Sequence, residues 1–286
     1  MTMKLNQSTA ELFIPDGLAE TAALSRVTHL GIGAHQDDLE FMAFHGILAC
    51  YQNDSQWFAG VTCTNGAGSS RTGPYAKFSD DQMQAIRRKE QNTAATIGQF
   101  GAMVQLDYPS SAVKDPHGTA LRDDLLEVLR ATRPRVVYTH NPADKHDTHI
   151  GVTVAAIQAM RALPPEQRPE MVHGCEVWRS LDWMCHSEKV VHDVGSRDNL
   201  AAALNGVFDS QIAGGKRYDL GVLGRRRANA TFFESHAVDR ADSIAFAMDL
   251  TPLVRDDTLD VAGYVDGFIG RFRIEVLSKL HQRLGR

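Results

Sequence analysis

Short runs of β-branched residues alternate with longer stretches of helical period through the first two thirds of the chain, and that alternation is what βαβ units produce. Residues 27–34, 57–64, 103–107 and 136–140 read as strands, and residues 38–51, 80–97, 121–132 and 150–163 as helices. Ser79 followed by Gln82 has the form of a capping box for the second helix, and Gly98 is placed to end it. Strands joined by covering helices pair in parallel through right-handed crossovers, so the expected fold is α/β: a Rossmann-like open, mostly parallel sheet with helices on both faces. Ligands in such sheets bind beyond the carboxyl ends of the strands. After Pro164-Pro165 the alternation weakens, with strands expected near 175–181 and 189–194 and a helix over 197–212. Val261, Tyr264, Val265, Phe268 and Phe272 share one face of a helix over 261–284, the spacing of an element that packs on a core. With no repeat, low-complexity tract or long linker, residues 1–286 are expected to form a single domain, its motifs within 27–236 and a helical segment 257–286 packed against it.

The bulk numbers narrow the partners. A length of 286 residues with 43% hydrophobic content allows a sizeable core. Thirty basic against 35 acidic residues, a net charge of −5, supply no excess with which to neutralise a phosphate backbone, so nucleic acid is not an expected partner. Cys50, Cys63, Cys175 and Cys185 form no C-x-x-C pair and read as buried free thiols. The first 14 residues hold no apolar run of signal-peptide length and no stretch is long enough for a membrane span, which reads as a cytoplasmic chain without a membrane partner.

Two polar clusters carry the chemistry. In Gly31-Ile32-Gly33-Ala34-His35-Gln36-Asp37-Asp38-Leu39-Glu40, one imidazole and two adjacent carboxylates stand where the first strand hands over to a helix. His35 and Asp38 are donors of the kinds zinc accepts, with Asp37 left uncoordinated to take a proton. An acidic pair alone would be no more than a favourable helix N-terminus. The second cluster changes the balance: His140-Asn141-Pro142-Ala143-Asp144-Lys145-His146-Asp147-Thr148-His149 puts three of the chain's 12 histidines at the end of the fourth strand. His149 can supply the third ligand, leaving a position open for water as catalytic zinc requires, and His146 is placed to donate a hydrogen bond or a proton. The rival reading is a nucleotide-binding module, suggested by Gly31-x-Gly33. It lacks the third glycine, and acidic groups occupy the place where phosphates would approach.

An Ala-His-x-Asp-Asp-x-Glu strand end followed later by His-x-x-His resembles the LmbE-like, or PIG-L, family of zinc-dependent de-N-acetylases. The resemblance extends to Arg87-Arg88-Lys89-Glu90, to Asp209-Ser210-Gln211, and to the stretch from Arg225-Arg226-Arg227 to Phe232-Phe233-Glu234, covering roughly residues 27–236. It implies metal ligands His35, Asp38 and His149, Asp37 as general base, His146 as the acid or oxyanion-stabilising group, and Arg87 meeting substrate. The cofactor implied is Zn2+, with Fe2+ as the alternative. Two departures stand out. The family usually has proline where this chain has Gln36, and it usually carries a carboxylate where Thr148 stands, which leaves Asp144 or Asp147 to tune the histidines.

The resemblance further implies a small-molecule N-acylated sugar, often an N-acetylglucosamine derivative, as substrate, and the family's habit of assembling leaves a homo-oligomer open. Zinc would polarise the amide carbonyl and lower the pKa of its water to about 7. Asp37 or His146 would then return the proton to the departing amine. Asn65, Arg87 and Asp107 are candidates for binding hydroxyls, and the turn-rich loop 65–74 is a candidate lid. A catalytically idle sugar- or nucleotide-binding relative is the competing reading, opposed by Asp37, which has no evident structural duty.

Overall fold

Five parallel strands occupy the middle of one eight-stranded sheet in the computed structural model, which describes residues 3–286. In chain order the strands are β1 (Glu11–Phe13), β2 (His29–Gly33), β3 (Phe58–Thr64), β4 (Ala102–Tyr108), β5 (Val136–His140), β6 (Met171–Cys175), β7 (Val190–Asp193) and β8 (Ile244–Asp249). They lie in the order β1-β4-β3-β2-β5-β6-β8-β7. The block from β4 to β6 is parallel, while β1 pairs with β4, β8 with β6, and β7 with β8 in antiparallel fashion. Every residue of β2, β3 and β5 is buried, as befits strands covered on both faces.

The four central strands and their helices lie where the hydrophobic pattern puts them. The helix Asp80–Ile97 carries the complete capping box between Ser79 and Gln82, and Gly98 caps its other end. The segment 38–51 differs: it is two helices, Asp38–Met42 and Phe44–Cys50, interrupted at Ala43. Leu39 at the start of the first is pressed onto the sheet. A Cβ on Gly31 would lie 2.9 Å from Leu39 and 2.7 Å from Phe58, and one on Gly60 would lie 2.6 Å from Leu39. Gly31 therefore serves a close helix-to-strand approach, which removes the main support for the nucleotide-binding reading.

The second half departs further from expectation. The strand expected near 175–181 ends at Cys175. The helix expected over 197–212 is broken into Asp198–Gly206 and Asp209–Ile212. β1, β8 and the helix Tyr218–Thr231 were not anticipated. The helix Val261–Leu284 forms, yet only Phe268 on it is buried; Tyr264 and Val265 pack partly on the core, and Ile274, Leu277, Leu280 and Leu284 stay exposed. Cys50, Cys63 and Cys175 are buried free thiols, and Cys185 is half-buried. Among the described residues no helix is long and apolar enough to cross a membrane.

Candidate active site

The chain leaves β2 toward β3 on one side and β5 toward β6 on the other, so the ends of β2 and β5 diverge above a crevice, the switch point at which open α/β sheets bind ligands. Both polar clusters sit there. Ala34 to Asp37 connect β2 to the helix Asp38–Met42, and residues 141–146 connect β5 to the helix Asp147–Arg161, which holds His149 in its first turn.

Three donor atoms form a nearly equilateral triangle. His35 Nδ1 lies 3.2 Å from His149 Nε2 and 3.3 Å from Asp38 Oδ2, and the last two are 3.5 Å apart. A tetrahedral ion with bonds of about 2.0–2.2 Å spaces its donors about 3.3–3.6 Å apart, so these three atoms fit one divalent cation. Two of the three donors are held by neighbouring groups. The backbone N–H of His35 donates to Asp38 Oδ2 at 2.7 Å, and His149 Nδ1 faces Asp144 Oδ2 at 3.3 Å, leaving Nε2 toward the triangle. His140 is also near, its Nε2 3.4 Å from Asp38 Oδ2, and its ring stacks on His149. That nitrogen already accepts the backbone N–H of Ala34 at 2.9 Å, so His140 ties β5 to the end of β2.

The charges follow from this packing. Burial alone would raise the Asp38 carboxyl, but His149 and His140 outweigh it and hold the group well below the usual carboxylate range. His149 is likewise pulled down by burial, yet Asp38 and Asp144 hold it above its ordinary value. His146 has no such compensation: burial, then the neighbouring His149 and His35, push it down to about 4. It is therefore a neutral imidazole near pH 7, and a cation in the triangle would press in the same direction.

Asp37 is set apart from its neighbour by its backbone. Its φ of 91° is left-handed, a conformation that non-glycine residues adopt rarely and aspartate more readily than most. Its N–H donates to Gln91 Oε1 at 3.1 Å, and its Oδ2 accepts from Arg87 Nη1 and Nη2 at 3.3 and 3.2 Å. Arg87, itself 2% exposed, also donates to the carbonyl of Gln36. Burial pushes the Asp37 carboxyl up to about 7; Arg87 opposes that shift and Asp38 adds to it. Glu90 stands 3.9 Å from Arg87 and accepts both the N–H and the hydroxyl of Ser210, at 2.7 and 2.6 Å.

Residues 30–160 match the family described as PIG-L: GlcNAc-PI de-N-acetylase. No curated protein matches the chain. Among solved structures, a conserved protein from Thermus thermophilus is similar with a TM-score of 0.60 and 19% identity over 78% of this chain and 94% of that one. The N,N'-diacetylchitobiose deacetylase of Pyrococcus horikoshii gives 0.56 and 18% over 77% and 83%. The 4-carboxy-2-hydroxymuconate hydratase of Pseudomonas putida gives 0.55 and 18% over 78% and 95%. These likenesses show the mostly parallel α/β fold that this chain shares with them.

Above the triangle opens a cleft of about 660 Å³ lined by His35, Asp37, Asp38, Arg87 and His146. The expected site residues are thus gathered in one place, with three exceptions. Asp107 is ion-paired with Arg88 at 2.8 Å and does not line the cleft. Asn65 is also outside the lining and its Oδ1 accepts the N–H of Ala67. Asp147 is exposed in the first turn of its helix, while the histidine partner is Asp144. The loop 65–74 does line the cleft through Gly66, Gly68, Ser69 and Ser70, and it is braced across it. A Cβ on Gly215 would lie 2.8 Å from Thr72 Oγ1 and one on Gly73 3.0 Å from the Ala213 carbonyl, and the Tyr75 hydroxyl just after the loop donates to Asp209 at 2.5 Å. Sequence reasoning missed Trp178 and Tyr218, which meet edge-to-face in the wall, since neither stands in a pattern that separates a site aromatic from a core one.

Proposed function

We propose that this protein is a metal-dependent hydrolase that removes an acetyl or other acyl group from the amide nitrogen of an amino sugar such as an N-acetylglucosamine derivative. The observation that carries the proposal is the donor triangle of His35, Asp38 and His149 with a buried, uncoordinated Asp37 beside it. The description of the matching family, and the deacetylase among the similar structures, support the amide as the bond cleaved.

His35, Asp38 and His149 would hold zinc, or iron(II) in its place, which when bound supplies a Lewis acid that polarises the carbonyl and acidifies water. Asp37 takes the proton of the attacking water, and a carboxyl near 7 is matched to that work at neutral pH. His146, neutral at rest, donates its N–H to the carbonyl oxygen as negative charge develops there. Asp37 then returns the proton to the amine nitrogen as the C–N bond breaks, giving a carboxylate and a free amine. Arg87 binds Asp37 and the Gln36 carbonyl and so positions the base.

The fold alone does not separate addition of water to an amide from addition to a carbon–carbon double bond, because a hydratase shares it. The deciding experiment is acetate release from N-acetylglucosamine derivatives by zinc-loaded protein, with chelated protein as control. Chelator-sensitive release supports the proposal. Absence of release from every N-acetylated sugar by protein that demonstrably holds one metal per chain would sink it.

A further inference from the structure

The helix Val261–Leu284 is held to the body of the protein by its first half. Val261, Tyr264, Val265 and Phe268 pack on the core, the Tyr264 hydroxyl donates to the Asp249 carbonyl at 2.8 Å, and Arg271 pairs with Glu188. From Val276 to the end of the chain every residue is exposed. So short a helical stretch is marginal in water without packing, because its few backbone hydrogen bonds barely offset the cost of fixing the chain. Its composition is not that of a solvated helix either. Ile269, Val276, Leu277, Leu280 and Leu284 recur at helical spacing on one face, and Leu280 and Leu284 are 52% and 63% exposed.

Charge is divided along the same segment. Residues 256–270 hold four aspartates and no lysine or arginine, whereas residues 271–286 hold five of these bases and a single acid, Glu275. Glu188 answers Arg271 and Glu275 answers Lys279, but among the described residues Asp266, Arg273, Arg283 and Arg286 have no ionic partner. The helix macrodipole favours acids in the first turn and bases in the last. It does not account for Asp266 in the second turn, nor for Arg271 and Arg273 in the middle. A second such helix laid antiparallel meets acid with base at both ends, while one laid parallel sets like against like. An anionic membrane surface would face the aspartates as well as the arginines.

We infer that the face bearing Leu277 and Leu280 is a self-association surface, on which a second copy of this chain lays the same helix antiparallel about a two-fold axis. Such an axis makes every contact occur twice, so it requires a face complementary to itself, and this helix is apolar in the middle and oppositely charged at its two ends. With the axis between Val276 and Leu277, Ile269 lies opposite Leu284 of the second copy, and Asp266 comes to the end that bears Arg283 and Arg286. No residue of the helix lines the cleft, so the inference does not depend on the chemistry proposed there.

The test is sedimentation of the full chain across the micromolar range at low ionic strength. The parent is expected to pair, and the double variant Leu277→Glu with Leu280→Glu to pair at least about 100-fold more weakly, since four apolar side chains leave the interface at once. Asp266→Arg, and separately Arg283→Asp with Arg286→Asp, are each expected to weaken pairing about tenfold. An equal mixture of these two charge variants is expected to recover the parental affinity as a mixed pair, because each then supplies the sign that the other lacks; recovery also shows that both are folded. Vesicles of mixed phosphatidylcholine and phosphatidylserine serve as the probe for a membrane surface. A chain that stays monomeric up to about 100 μM, whether or not it binds the vesicles, overturns the inference. So does an assembly that survives the double glutamate variant, or a mixture of the charge variants that pairs no better than either alone.

Discussion

Asp144 and His149 meet through Oδ2 and Nδ1 at 3.3 Å with both side chains fully enclosed, and this contact fixes which imidazole nitrogen faces the donor triangle. Asp144 also accepts the backbone N–H groups of Lys145 and His146, so one carboxylate shapes the loop and aims the ligand. Asp144→Asn keeps the shape and weakens the acceptor. Metal affinity is expected to fall about 10- to 100-fold, read by competition with a chelator of known affinity. Unchanged affinity would mean that another group orients His149.

Asp38→Ala and Asp37→Ala should separate holding metal from turning over. The first removes an oxygen of the triangle and is expected to leave protein without bound metal after dialysis, measured by elemental analysis. The second is expected to keep its metal and lose about 10²- to 10⁴-fold in kcat, the usual worth of a positioned acid or base. Normal turnover by Asp37→Ala would remove it from the mechanism.

Arg87 predicts a stability effect. It is buried beside Asp37 and Glu90, and replacing it by Met leaves a buried carboxylate without its partner. Breaking a buried pair in this way costs about 3–5 kcal/mol, to be read from the midpoint of urea unfolding. A midpoint within error of the parent protein would show that Asp37 is comfortable without the guanidinium.

A second group of histidines, away from the cleft, predicts the response to acid. His45 and His192 stack with ring centres 4.0 Å apart, and His173 meets His192 at 4.8 Å. Burial, reinforced by the neighbouring histidines, pushes His29 and His173 down to about 4 and His192 to about 2. Because these folded-state values lie below the ordinary 6.5, the neutral forms stabilise the fold fully above that pH, and the contribution is lost as pH falls from 6.5 toward 4. Melting temperature should therefore drop across that window, and His192→Phe should flatten the drop. A melting temperature independent of pH between 7 and 4 would contradict the assignment.

The central sheet was legible because β2, β3 and β5 are buried on both faces and so consist mostly of apolar and small residues. The edges were not, since β1 has three half-buried residues and β8 reaches β6 only after a long excursion. The break at Ala43 escaped notice because the helical period continues through it. In the site, His35, Asp38 and His149 were readable from residue type and place at strand ends. His140 stood in the same cluster without a sign that it would bind a backbone amide, and nothing in the sequence showed that Asp107 would pair with Arg88 outside the cleft. Trp178 became meaningful only when the chain brought it beside His146.

The packing of Thr72 and Gly73 against Ala213 and Gly215, reinforced by Tyr75 and Asp209, joins two stretches that are far apart along the polypeptide into one rim. Lengthening either stretch must displace the other, so neither can drift alone in evolution or be grafted alone in the laboratory. Reshaping which molecules this protein admits will require both stretches to be exchanged together.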